Sequence, residues 1–244
     1  MLVNAMMFIP ALISVAFRGW YGEGFKSVGW NPLPSRFWIA ALLFPLLLLG
    51  ASIAVAVWLG YASVMPPSSP AAVLGLGSMW KLPLFSLLSV PFALGEELGW
   101  RGYAQGKLID EFGVTKGLFI LGIVWGFWHT PAFYFLGSFP AHPILGPLVM
   151  TPIDNLLVVV PLGWLYIRSR NIWVPTIAHA FGDVLWGYSD LLISKHSIVG
   201  CWAALQAAQF IMTLLCLIDL TKSAKPGVTP NLPLQPTAAT KEFQ

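Results

Sequence analysis

Glu96 and Glu97 stand side by side in Gly95-Glu96-Glu97-Leu98-Gly99-Trp100-Arg101-Gly102-Tyr103, directly after the apolar run of residues 82–94. On a helix, Glu97 and Arg101 are i and i+4, so they share a face and can neutralise each other. Glu96 is turned about 100° away, which leaves its carboxylate for a group on another helix. Two histidines are candidates. His129 lies in Trp125-Gly126-Phe127-Trp128-His129-Thr130-Pro131, and His179 lies four residues before Asp183 on one helix face. A desolvated acid and an imidazole sharing one water form a general-base pair, and His179 with Asp183 could contact the oxyanion that follows attack on an amide. Two histidines and a carboxylate are also a three-ligand zinc set with room for water. Glu96, His129 and His179 would supply it, although no His-Glu-x-x-His signature is present. From the residues alone, zinc and no metal both stay open. A Ser or Cys nucleophile has no support: Gly-x-Ser-x-Gly is absent, and neither Cys201 nor Cys216 is near a histidine in sequence.

The elements that must carry these groups are membrane helices. Only 9% of the 244 residues are charged and 57% are apolar, whereas soluble domains carry about 25% charged residues. An all-α polytopic bundle is expected. Seven segments approach the roughly 17–25 residues of a span: 2–17, 37–60, 82–104, 117–136, 147–167, 172–193 and 198–220, with 2–17 short. Residues 1–220 read as one membrane domain with a catalytic core of 82–193, and residues 221–244 read as a disordered cytoplasmic tail. With the N-terminus outside, Arg18, Lys26, Arg36, Arg101, Lys107, Lys116, Arg168, Arg170, Lys222 and Lys225 fall near the cytoplasm, against Lys81 and Lys195 outside. A net charge of +3 gives no case for a nucleic-acid partner. Cys201 and Cys216, 15 residues apart on one helix, are separated by about 22 Å and cannot pair with each other.

Depth brings the groups together. Glu96 is about 21 Å into a span entering at Leu82, His129 about 18 Å into one rising from Gly117, and His179 about 10 Å above Ile172, at 1.5 Å per residue. In a slab about 30 Å thick these depths allow them to meet. Ionisable groups at such depth are expensive and mark function. Asp154 and Asn155 read as helix capping, and His142 and His196 as incidental loop residues. Trp30, Trp38, Trp80 and Trp173 flank spans, as an interfacial belt predicts.

The order Glu-Glu-x-x-x-Arg, aromatic-x-x-x-His and His-x-x-x-Asp on successive apolar helices resembles the CPBP family of intramembrane proteases. That family holds the CAAX prenyl endopeptidases and the bacterial Abi-type bacteriocin-processing and immunity proteins. The likeness covers about residues 85–185. It implies Glu96 as water-activating base with His129, and His179 with Asp183 as substrate or oxyanion contacts, by a zinc-assisted or a metal-free glutamate mechanism. It implies a multi-pass protein of the cell membrane, of bacterial type, acting on a membrane-associated or lipidated peptide. Trp125 stands where phenylalanine is typical, a difference expected to alter packing only. Asp183 stands where the prenyl-protease branch has asparagine, and an aspartate donates to an oxyanion only when protonated. Two other functions compete: a proton-coupled carrier using Glu96 and the histidines as a relay, and a non-catalytic membrane protein that binds a partner.

Overall fold

The computed structural model describes residues 5–30, 35–66 and 68–223. Of the expected disordered tail of residues 221–244, the first three residues continue the last helix, and the rest lies outside the described residues, as does the start of the first expected span. Nine α-helices are present among the described residues: α1 Ile9–Trp20, α2 Ser35–Trp58, α3 Pro70–Ser78, α4 Leu82–Gly99, α5 Gln105–Phe112, α6 Val114–Phe135, α7 Thr151–Ser169, α8 Trp173–Ser189 and α9 Ile198–Ser223. Five helical stretches are long and apolar enough to cross a membrane: Arg36–Trp58, Met79–Phe112, Val114–Phe135, Gly146–Ser169 and Ile198–Lys222. The protein is an all-α, multi-pass membrane bundle. The two remaining expected spans are shorter helices, α1 with 12 residues and α8 with 17.

Several connections differ from the sequence expectation. The third span does not end near residue 104. A π-helical turn, Trp100–Ala104, carries it into α5, where a loop was expected. Gly113, at φ 79°, then turns the chain into α6, a left-handed conformation that glycine adopts without strain. The loop before α4 contains α3, and its first part forms a two-stranded antiparallel ribbon, β1 Ala62–Val64 with β2 Ile193–Lys195. A second π turn, Gly146–Met150, leads straight into α7. Asp154 and Asn155 are therefore inside a continuous helical column. Neither caps it, which corrects that expectation. Asn171 Oδ1 accepts from the Trp173 backbone N–H at 2.9 Å and so fastens the start of α8.

Packing follows a chain of neighbours: α1 on α4, α4 on α8, α8 on α2, α2 on α9, α9 on α7, and α7 on α6. Small residues allow the closest approaches, as expected where lipid supplies no hydrophobic drive between helices. Gly99 of α4 lies against Pro10 of α1. Gly126 of α6 lies so near α7 that a Cβ there would come 2.7 Å from Pro152 Cα. These two contacts seat the glutamate helix and the first histidine helix. Leu118, Leu121, Val159, Val160, Leu165 and Val174 fill the core between α6, α7 and α8. Ile39, Leu42, Leu43, Leu46 and Leu47 of α2 face outward, while acids and an arginine are buried, a distribution that suits lipid around the bundle.

Arg18 is a correction of a different kind. It reads from sequence as a loop charge, yet it is 1% exposed at the end of α1. Its guanidinium donates from Nη2 to the Gly102 carbonyl in the π turn and from Nη1 to the Gly24 carbonyl. It also sits 5.2 Å from the ring centroids of Phe25 and of Tyr103. The wider turn at Trp100–Ala104 is thereby tied to the first helix.

Candidate active site

Glu96 and Glu97 lie in the last turn of α4, which ends at Gly99 and contains Pro91. Both are buried, as is Arg101 in the π turn. Arg101 Nη1 donates to Glu97 Oε1 at 2.8 Å, the i,i+4 pair expected from spacing. The same oxygen lies 2.8 Å from His179 Nδ1. Glu97 thus joins α4 to α8. Its Oε2, and Arg101 Nε and Nη2, have no hydrogen-bond partner among the described residues.

Glu96 points elsewhere. Its Oε2 accepts from the indole Nε1–H of Trp125 at 2.8 Å, and its Oε1 is 3.7 Å from His129 Nε2. That separation is too long for a direct hydrogen bond and suits a bridging water. His129 Nδ1 lies 2.9 Å from the Trp125 backbone oxygen. A carbonyl only accepts, so Nδ1 carries the proton, and in the neutral ring Nε2 is left as an acceptor. Two acceptors, Glu96 Oε1 and His129 Nε2, therefore face each other across the gap.

Trp125 organises the cluster. Its ring lies 4.3 Å from the Arg101 guanidinium carbon, and its edges meet His129 and His179 at centroid separations of 5.4 and 5.5 Å. With the N–H bond to Glu96, one indole touches four of the polar groups. A phenyl ring in that place would offer Glu96 no donor. Trp125→Phe is expected to lower kcat/KM by about 10- to 100-fold, since a hydrogen bond to a charged group is worth about 1.5–3 kcal/mol. Steady-state kinetics with the peptide substrate proposed below provide the check, and an unchanged value would remove Trp125 from the site.

Asp183 lies 3.5 Å from His179 Nε2 through Oδ2, and its side chain is 54% exposed. Glu96, His129, His179 and Asp183 line one cavity of about 560 Å³, together with Asp154 and Gln209 from the opposite helices. Glu96, His129 and His179, the possible metal set, all line this cavity. His179 turns Nδ1 to Glu97 and Nε2 towards Asp183, and among the described residues no three His, Cys, Asp or Glu side chains form a ligand group. Two close pairs result, Glu96 with His129 and Glu97 with His179.

Two features are not legible in the sequence. Asp154 reads as a cap because the π turn ahead of it carries no sequence signal. Arg18 reads as a loop residue because its partners, two backbone carbonyls and two rings, cannot be seen in the order of residues. The signal available for both was the rarity of charge in this chain.

A buried acid faces an imidazole between helices of this bundle, and two comparisons with known proteins bear on what such a pair does. Residues 77–185 match the family model described as type II CAAX prenyl endopeptidase Rce1-like. One similar protein, CAAX prenyl protease 2 of Methanococcus maripaludis, is 29% identical over 104 residues, which is 41% of this chain and 38% of that protein. This chain therefore spans well under half of that relative's length. Residues 77–185 are thus similar to an Rce1-like domain, and all the site residues named from α4, α6 and α8 fall within that stretch.

Proposed function

We propose that this protein is an intramembrane endopeptidase that hydrolyses a peptide bond of a membrane-associated or lipidated substrate. The observation that carries the reading is the facing of Glu96 Oε1 and His129 Nε2 across 3.7 Å with no donor between them. A water there gives one hydrogen to each acceptor, which leaves its oxygen lone pairs free for attack. As that oxygen bonds to the substrate carbonyl carbon, Glu96 takes the proton and later returns it to the leaving amine. The products are a carboxylic acid and an amine. His179, held by Glu97, is placed to meet the developing oxyanion when its Nε2 carries a proton, with Asp183 beside it. Arg101 and Trp125 are positioning residues.

The substrate class follows from the setting. The cavity joins apolar walls, among them Phe44, Leu48 and Val158, to the acid–imidazole pair. Such walls suit an acyl or prenyl chain with a peptide beside it, and the similar protein's name contains "CAAX prenyl protease". Membrane lipid and a lipidated peptide are the partners proposed.

The test is cleavage of a farnesylated CAAX peptide by the purified protein in phosphatidylcholine nanodiscs, read by mass spectrometry, with zinc measured in the same preparation. Two products are expected. Cleavage that survives 1,10-phenanthroline, in protein without stoichiometric zinc, supports a water held by side chains alone. Inhibition reversed by added zinc would replace that with a metal-assisted mechanism. No cleavage of any lipidated or membrane-anchored peptide would overturn the protease reading.

A further inference from the structure

Asp154 of α7 shares the cavity with Glu96 and His129, and the chemistry above does not use it. Its Oδ1 accepts from two amides of α9, Gln209 Nε2 at 2.8 Å and Gln206 Nε2 at 3.1 Å. Two donors converging on one oxygen fix the carboxylate, and its Oδ2 meets no donor among the described residues. No lysine, arginine or histidine pairs with Asp154 among them either. The neighbourhood is rich in acceptors. Gln209 is 3% exposed, lines the cavity and leaves its own Oε1 without a partner, as Gln206 also does.

A carboxylate with unsatisfied acceptors beside it, within an apolar bundle, is costly unless a counter-charge arrives. A peptide N–H would supply a hydrogen bond and leave the charge uncompensated. An ammonium or guanidinium group supplies both. We propose that Asp154, oriented by Gln206 and Gln209, is the subsite for a basic side chain, lysine or arginine, of the peptide that lies across Glu96 and His129. That the occupant is a substrate rests on the protease reading; binding of the basic side chain itself needs no cleavage. Asp154 lies inside the segment similar to the CAAX proteases, and its two glutamines lie outside it.

The experiment measures binding, so that the two proposals can fail separately. Fluorescein-labelled farnesylated peptides carry lysine or norleucine at each position near the scissile bond in turn. They are titrated by anisotropy against Glu96→Gln protein in phosphatidylcholine nanodiscs, whose lipid carries no primary ammonium. At one position lysine is expected to bind at least about tenfold more tightly than norleucine, in line with a desolvated charge pair. Adding Asp154→Asn is expected to reduce that ratio below about threefold. If Asp154→Asn does not fold, Gln206→Met and Gln209→Met, which loosen the carboxylate and keep its charge, are expected to lower the ratio instead. A ratio near one at every position, or a lysine preference unchanged by all three substitutions, overturns the subsite. Wild-type protein that cleaves neither peptide while keeping an Asp154-dependent lysine preference would overturn the protease reading and leave the subsite standing.

Discussion

Glu96→Gln is expected to lower kcat for the lipidated peptide by roughly 10²–10⁴-fold, the range of a positioned proton transfer, while leaving the fold intact. The side chain keeps its size, and the amide oxygen can still accept from Trp125 Nε1. The loss lies on the other side of the group. A carboxamide brings an N–H₂ donor towards His129 Nε2, so the two can bond to each other where two acceptors had faced a shared water. It also has no basicity with which to take the proton. Single-turnover mass spectrometry of the purified variant, beside its melting curve, gives the check. Full activity in a folded Glu96→Gln protein would remove Glu96 as the base.

Glu97→Ala is expected to act on stability. Glu97 is fully buried and is the anion common to Arg101 and His179. Its removal strands a guanidinium that has no other side-chain anion within bonding distance among the described residues, and releases His179 from α4. Breaking a buried ion pair at one partner costs about 3–5 kcal/mol, a large share of the roughly 5–15 kcal/mol that holds a typical domain folded. The companion variant Glu97→Leu with Arg101→Met removes both charges at similar volume and is expected to melt higher than Glu97→Ala alone, because exchanging a whole buried pair for apolar groups is often neutral or better. It is still expected to be impaired in catalysis, since nothing then fixes His179 Nδ1. Thermal unfolding in nanodiscs separates the cases; a Glu97→Ala protein that melts with the wild type would show that the pair holds nothing together.

Some of this site is legible in the order of residues. The Glu97–Arg101 pair depends on helical spacing within one segment, so it can be read directly. That Glu96 and His129 lie at similar depth follows from hydropathy and a rise of 1.5 Å per residue. What cannot be read is the rotation of each helix about its own axis. That rotation sends His179 Nδ1 to Glu97, a partner that spacing alone does not name. It also turns the Trp125 indole N–H onto Glu96, although in sequence Trp125 is one aromatic among many. The π turns at Trp100–Ala104 and Gly146–Met150 have the same effect on a larger scale. The first lengthens the glutamate helix into an expected loop and exposes the carbonyl that Arg18 takes. The second moves Asp154 from a helix end to the cavity wall. Hydropathy carries helix count and depth; azimuth is set by side-chain packing between helices, with Gly99 on Pro10 and Gly126 on Pro152 among the contacts that decide it.

The most direct test of a shared water between Glu96 and His129 is a double-mutant cycle on kcat, with Glu96→Gln, His129→Ala and the two combined. Groups that act on one molecule lose their function together, so each single variant is expected to fall nearly as far as the double, with a coupling of more than about 2 kcal/mol. Losses that simply multiply, or a His129→Ala protein that keeps wild-type turnover, would show that the carboxylate and the imidazole do not hold the same water.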